Sequence, residues 1–176
     1  MFKELLLVRH AIAQDRNDFK KTGQPDDLRP LTTKGVKKML RIAQWLAHAS
    51  DSPYDFIAES PRLRSQQTAD ILIKKIKSKE RIRLKELGPE YSPEEICQIL
   101  DKKEWSRGLL VGHEPHLSHL ICFLTGISAK HYSEFEMKKG GIASFKLTNP
   151  LMSRTAQLQW VVTPKIVLSF YKKKSR

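Results

Sequence analysis

The sequence predicts a single-domain α/β fold with a central, largely parallel sheet flanked by helices. Three observations carry that expectation. Short continuous apolar runs of strand length recur at Leu5–Val8, Phe56–Ala58 and Leu109–Val111. Stretches with helical apolar periodicity lie between them, and strands alternating with helices argue for a parallel sheet. No Gly/Ser linker, repeat or low-complexity segment divides the 176 residues, a length that suits one domain with a sizeable core.

The elements follow in order. Leu5–Val8 suits a buried strand. Polar residues dominate from Gln14 to Arg29, where Gly23, Pro25 and Pro30 interrupt regular structure; a loop this long in a compact domain is often functional. A helix runs from about Thr33 to Ala49, with Val36, Met39, Leu40, Ala43, Leu46 and Ala47 on one stripe and Thr32 or Thr33 able to cap it. Phe56–Ala58 is a second strand. A second helix covers roughly Leu63 to Lys77 through Ala69, Leu72, Ile73 and Ile76. Arg81–Leu87 alternates charged and apolar residues and reads as a strand before the Gly88-Pro89 break. Ser92-Pro93-Glu94-Glu95 starts a helix, with acids near its positive end. Leu109–Val111 is another buried strand, ending at Gly112-His113. Pro115 opens a helix whose Leu117, Leu120, Ile121 and Leu124 share a face, stopped by Gly126. Ile142–Leu147 and Leu158–Val162 are late strands. The domain spans 1–176, with a basic tail from about residue 172.

Composition narrows the function classes. Hydrophobic residues at 40% and charged residues at 29% are ordinary globular usage rather than disorder. No apolar run approaches the roughly 20 residues that cross a bilayer. Leu5–Val8 is short and no small-residue cleavage site follows it, which argues against a signal peptide. Cys97 and Cys122 lack CxxC or zinc spacing and suit a reduced, cytoplasmic setting. The 32 basic and 19 acidic residues leave a net charge of +13. Nucleic acid, an anionic membrane surface, an acidic partner or a phosphorylated substrate would all be drawn to that charge. The basic residues are dispersed over helix faces, as in a merely solvated basic surface, and no nucleic-acid motif or interleaved stacking aromatics accompany them.

Two strand ends carry the chemistry: Leu7-Val8-Arg9-His10 and Val111-Gly112-His113. Ligands of open α/β sheets bind outside the carboxyl ends of the strands, so two such histidines could face one another across one cleft. Between them in sequence, Ser60-Pro61-Arg62-Leu63-Arg64 lies where a strand meets a helix, and either arginine could reach the same crevice. Guanidinium forks and a helix N-terminus suit a tetrahedral oxyanion. An imidazole attacks phosphorus only when neutral, and Arg9 beside His10 should lower its pKa. His113-Glu114-Pro115-His116-Leu117-Ser118-His119 lacks the His-Glu-x-x-His spacing of a zinc site, so His116 and His119 are expected at the rim, facing solvent or hydrogen-bonded, with no metal or other cofactor. Trp45, Trp105 and Trp160 are expected as core or rim aromatics.

These segments resemble the histidine phosphatase (phosphoglycerate mutase-like) superfamily. Leu7-Val8-Arg9-His10-Ala11 is similar to its Arg-His-Gly signature with Ala for Gly. Ser60-Pro61-x-x-Arg64-x-x-Gln67-Thr68 resembles its Ser-Pro-x-x-Arg-Ala-x-Gln-Thr segment, with Ser65 for Ala. Val111-Gly112-His113-Glu114-Pro115 resembles the stretch holding its second catalytic histidine. Arg29-Pro30-Leu31-Thr32 and Lys138-Lys139-Gly140-Gly141 further resemble the SixA-type phosphohistidine phosphatases. The resemblance implies His10 as phosphate acceptor, with Arg9, Arg64 and His113 around the phosphoryl group and Arg29 as a further contact. Glu86 falls where many members place a catalytic acid or base, and otherwise is an ordinary exposed acid. The implied substrate is a phosphohistidine-bearing protein. A small phosphate ester or nucleotide is the alternative, and a nucleic-acid-binding protein with an inactive enzyme fold is a lesser one.

Overall fold

Residues 2–50, 52–148 and 150–172 are described by a computed structural model of the chain. Six strands form one sheet: β1 (Lys3–Arg9), β2 (Tyr54–Glu59), β3 (Ser78–Arg83), β4 (Arg107–Gly112), β5 (Ile142–Leu147) and β6 (Ala156–Val162). Their order is β3-β2-β4-β1-β5-β6. The first four run parallel, and β5 and β6 complete the sheet antiparallel.

The apolar runs are continuous because both faces of the sheet are covered. Leu5 and Leu7 of β1 point into one core with Phe56, Ala58 and Leu110. That core is closed by α4 (Pro93–Asp101) and α5 (His116–Thr125) through Ile96, Leu100, Leu117 and Leu120. Leu6 and Val8 point the other way, with Ile57, Leu109 and Val111. There α2 (Thr33–His48), α3 (Leu63–Ile73) and α6 (Pro164–Lys172) supply Met39, Ile42, Ala43, Leu72 and Val167. Ile42 belongs to the buried α2 stripe although the sequence reading omitted it.

Local chemistry sets the boundaries. The Thr32 hydroxyl accepts from the Gly35 amide and caps α2. Ser92 and Glu95 form a reciprocal capping box on α4. The long polar loop is not structureless: Asp15 caps α1 (Arg16–Lys20), and a one-turn 3-10 helix follows at Asp26–Leu28.

Two expectations are corrected. The second helix ends at Ile73 rather than near Lys77, because the Lys75 and Ile76 amides both turn back to the Leu72 carbonyl. Ile73 is exposed, and Ile71 takes the buried place. The following strand is Ser78–Arg83 rather than Arg81–Leu87. It pairs with β2 alone, Tyr54 opposite Ser78, and Lys85–Leu87 is a 3-10 turn. As an edge strand it packs little, so the side-chain pattern marked its span poorly. The expected basic tail beyond residue 172 lies outside the described residues. Among the described residues, no helix is long and apolar enough to cross a membrane.

Candidate active site

Sheet register brings the two histidines together. Arg9 of β1 sits opposite Gly112 of β4, and the His10 amide donates to the Gly112 carbonyl at 3.0 Å. His10 and His113 therefore leave neighbouring parallel strands side by side, about one strand spacing apart. Their ring centroids lie 5.0 Å apart at an interplanar angle of 49°. Both are buried.

The His10 Nδ1–H donates to the Ala11 carbonyl at 2.7 Å, and a carbonyl can only accept. A neutral His10 then carries its lone pair on Nε2. Burial is the main influence that lowers its pKa, to about 3; the Ala11 hydrogen bond opposes this, while Arg64, Arg9 and Lys139 lower it further. Arg9 was expected to do this work, but burial comes first and Arg64 outranks Arg9. His113 is also lowered, by burial and then by the charges of His10, Arg64 and Arg62. The Ser60 hydroxyl and His113 Nε2 share a 2.5 Å hydrogen bond.

Arg64, in the first turn of α3, is almost wholly buried at 1% exposure. Burial lowers its pKa to about 10, against the opposing charge of Asp26. Arg29 is buried beside it. One carboxylate joins them: Asp26 accepts from Arg29 Nε at 2.7 Å and faces Arg64 Nη2 at 3.0 Å. The Asp26 backbone carbonyl accepts from Arg64 Nη1 at 2.8 Å. Burial works to raise the Asp26 carboxyl, but the Arg29 hydrogen bond and the charges of Arg64 and Arg29 outweigh it, leaving the pKa below the usual carboxylate value. Arg9 reaches Glu136 at 3.0 Å and the Met137 carbonyl. At the site, the buried nitrogens Arg9 Nε, Arg64 Nε and His113 Nδ1 have no hydrogen-bond partner among the described residues. Such groups are rare in folded proteins, and the two guanidinium nitrogens are donors of the kind that bind oxyanions.

Other motif residues hold the frame. Thr68 accepts from the Ala11 amide at 3.0 Å and donates to the Arg64 carbonyl at 2.7 Å, tying the segment after His10 to α3. Gln67 accepts from the Leu31 amide at 2.7 Å, fixing the segment after Arg29. Ala11 fits without a left-handed backbone. The Ser65 hydroxyl accepts from the Ser60 amide and donates to the Val111 carbonyl, a tether that Ala would lack. Gly140, at φ +81°, turns its amide onto the Arg9 and His10 carbonyls and so places Lys139 among the cations. Glu114 receives the Met137 amide at 2.9 Å and caps Ser118 of α5.

Arg62 lies at the rim, paired with Asp27 at 3.1 Å and Glu90 at 3.6 Å. Glu86 sits half-buried in the 3-10 turn after β3, and no hydrogen bond or ion pair links it to His10, His113 or Arg64. His116 departs from expectation, since it is buried at 2% exposure rather than at the rim; the first turn of α5 tucks under Ser92 and Tyr91. His119 is half-buried and stacks edge-on against Tyr132. Sequence reasoning missed Asp26 altogether. Its signal was the Asp-Asp-Leu-Arg spacing, which puts a carboxylate one 3-10 turn before Arg29. A depression of about 530 Å³ opens beside Asp26, lined by Arg16, Phe19, Lys20, Gln24, Arg62 and Pro89. A second of about 810 Å³, around Lys3 and Trp105, lies at the amino end of β1, away from the histidines.

Comparison with known proteins agrees with this fold. The model of the histidine phosphatase superfamily (branch 1) matches residues 5–89. An uncharacterized protein of Picosynechococcus sp. (strain PCC 7002) is 32% identical over 146 residues, covering 81% of this chain and 84% of that one. The protein histidine phosphatase SixA, solved with tungstate, superposes with a TM-score of 0.76 at 23% identity over 93% of this chain and 99% of that one. The alpha-ribazole phosphatase of Shigella flexneri gives 0.71 at 17% identity, over 92% and 96%. A phosphoserine phosphatase of Entamoeba histolytica bound to phosphoserine gives 0.67 at 15%, over 93% and 98%. At such identities the structural likeness speaks for the fold, a phosphoglycerate mutase-like α/β domain.

Proposed function

The chain belongs to the histidine phosphatase superfamily, and from that premise we propose that it removes phosphate from a phosphorylated histidine of a protein, through an intermediate on His10. The observation that carries the phosphatase reading is a neutral imidazole pair, His10 and His113, set among arginines with buried donors to spare. His10 Nε2 attacks phosphorus, and the bond from phosphorus to the substrate's imidazole nitrogen breaks as the new P–N bond forms. Arg9, Arg64, Arg29 and His113 surround the phosphoryl oxygens and stabilise charge on them in the transition state. Water then attacks phosphorus, releasing inorganic phosphate and restoring His10.

The choice of leaving group rests on proton supply. Asp26, the carboxyl group inside the arginine ring, is kept ionised by its partners and is a poor acid at neutral pH. Glu86, in the acid or base role the resemblance implies, has no hydrogen bond tying it to the histidines. An imidazole that leaves already protonated needs neither.

A phosphatase of small esters is the second reading, favoured by structural neighbours named for alpha-ribazole and phosphoserine phosphatase activity. Assaying a phosphohistidine protein beside sugar phosphates, phosphoserine and nucleotides separates the two. Turnover of the phosphohistidine protein with kcat/KM at least about a hundredfold above every ester is expected. Comparable turnover of an ester with none of phosphohistidine would assign the second reading.

A further inference from the structure

We propose that Asp26 is an internal anion that occupies the guanidinium groups of Arg64 and Arg29 and so limits how tightly the site holds an oxyanion. The inference rests on the phosphatase reading, because it takes those two arginines as phosphate ligands. Arg64 gives Asp26 a donor from each of its terminal nitrogens, one to the carboxylate and one to the backbone carbonyl. Arg29 gives its Nε. The carboxylate therefore faces the donors that a phosphoryl oxygen would need.

Its placement lets it yield. Arg64 and Arg29 are buried side chains, whereas the Asp26 side chain is 39% exposed on a one-turn 3-10 helix in the loop between β1 and α2. It can swing toward the adjoining depression, where the exposed Arg16 already lies 3.8 Å from it, without disturbing either core. An entering oxyanion then exchanges with a bound carboxylate instead of adding to free guanidinium groups. The affinity observed is the difference between the two. Without Asp26, the mutually repelling charges of Arg64 and Arg29 would face the phosphate with no carboxylate between them, and the product would leave slowly.

Calorimetric titration of inorganic phosphate and of tungstate into the unaltered chain, Asp26→Asn and Asp27→Asn tests this. Asp27 has the same charge one residue away but pairs with Arg62. Asp26→Asn is expected to bind both ions on the order of tenfold more tightly, since it loses a charged competitor while keeping the backbone acceptor; Asp27→Asn should stay within about twofold. Equal or weaker binding by Asp26→Asn, with the unaltered chain binding normally, would overturn the role of Asp26 alone. No binding by any of the three would overturn the oxyanion site itself. Crystals of the unaltered chain soaked in tungstate give a reading that does not depend on the variant folding. Asp26 withdrawn from Arg64 supports exchange, and Asp26 still hydrogen-bonded to Arg64 beside bound tungstate refutes it.

Discussion

At the scale of the residue, His10 is held neutral by where it sits more than by what stands next to it in sequence. Its imidazole titrates near 6.5 in an unfolded chain and at about 3 here, burial being the main cause. Between those values the unfolded state holds the extra proton, so acid favours unfolding. The stability that His10 contributes is complete above about pH 6.5 and falls away as the pH drops toward 3, amounting to about 3 kcal/mol lost by about pH 4. Chemical denaturation from neutral to mildly acid pH should therefore show a decline that is shallower in His10→Gln. Parallel declines in the two proteins would mean that His10 takes up its proton over the same pH range folded and unfolded. His113 shifts in the same direction and keeps part of the slope in the variant.

At the scale of the element, the site depends on how closely α2 approaches the segment after β1. The Thr32 amide donates to the Ile12 carbonyl at 2.9 Å, and a side chain at Gly35 would place its Cβ 2.1 Å from that same oxygen. No side-chain rotation relieves a clash with backbone. Gly35→Ala should therefore cost on the order of 2–4 kcal/mol in urea unfolding and reduce turnover by displacing the loop that carries Ala11 and Ile12. Stability and activity equal to the unaltered chain would show that α2 can retreat freely. Thr68 and Gln67 act at the same scale, since they bind α3 to the segments after His10 and Arg29. Their place in the motif reflects positioning of the arginines as much as chemistry.

At the scale of the whole molecule, the parallel centre was legible because strands covered on both faces must be apolar at every position. Leu5–Val8 and Leu109–Val111 stand out on that ground alone. The edge strand β3 was misplaced because Ser78–Arg83 packs one side only and its charged residues face solvent. The two histidines could be paired from sequence, since each follows a strand at the same end of the sheet, whereas strand position left Arg62 and Arg64 open and the family resemblance favoured Arg64. Asp26 could not, because its partners lie three and 38 residues onward and meet only when the polar loop folds over α3. The burial of His116 was hidden for a related reason: what covers it belongs to the turn before α4.

The proposed mechanism puts the phosphoryl group on His10 during turnover. Rapid mixing with a protein carrying labelled phosphohistidine, followed by alkaline quenching and mapping of the label, reads that step directly. The expected result is transient, acid-labile phosphate on His10, with neither label nor turnover in His10→Ala. Phosphate release with no labelled intermediate, label on another residue, or turnover surviving in His10→Ala would contradict it.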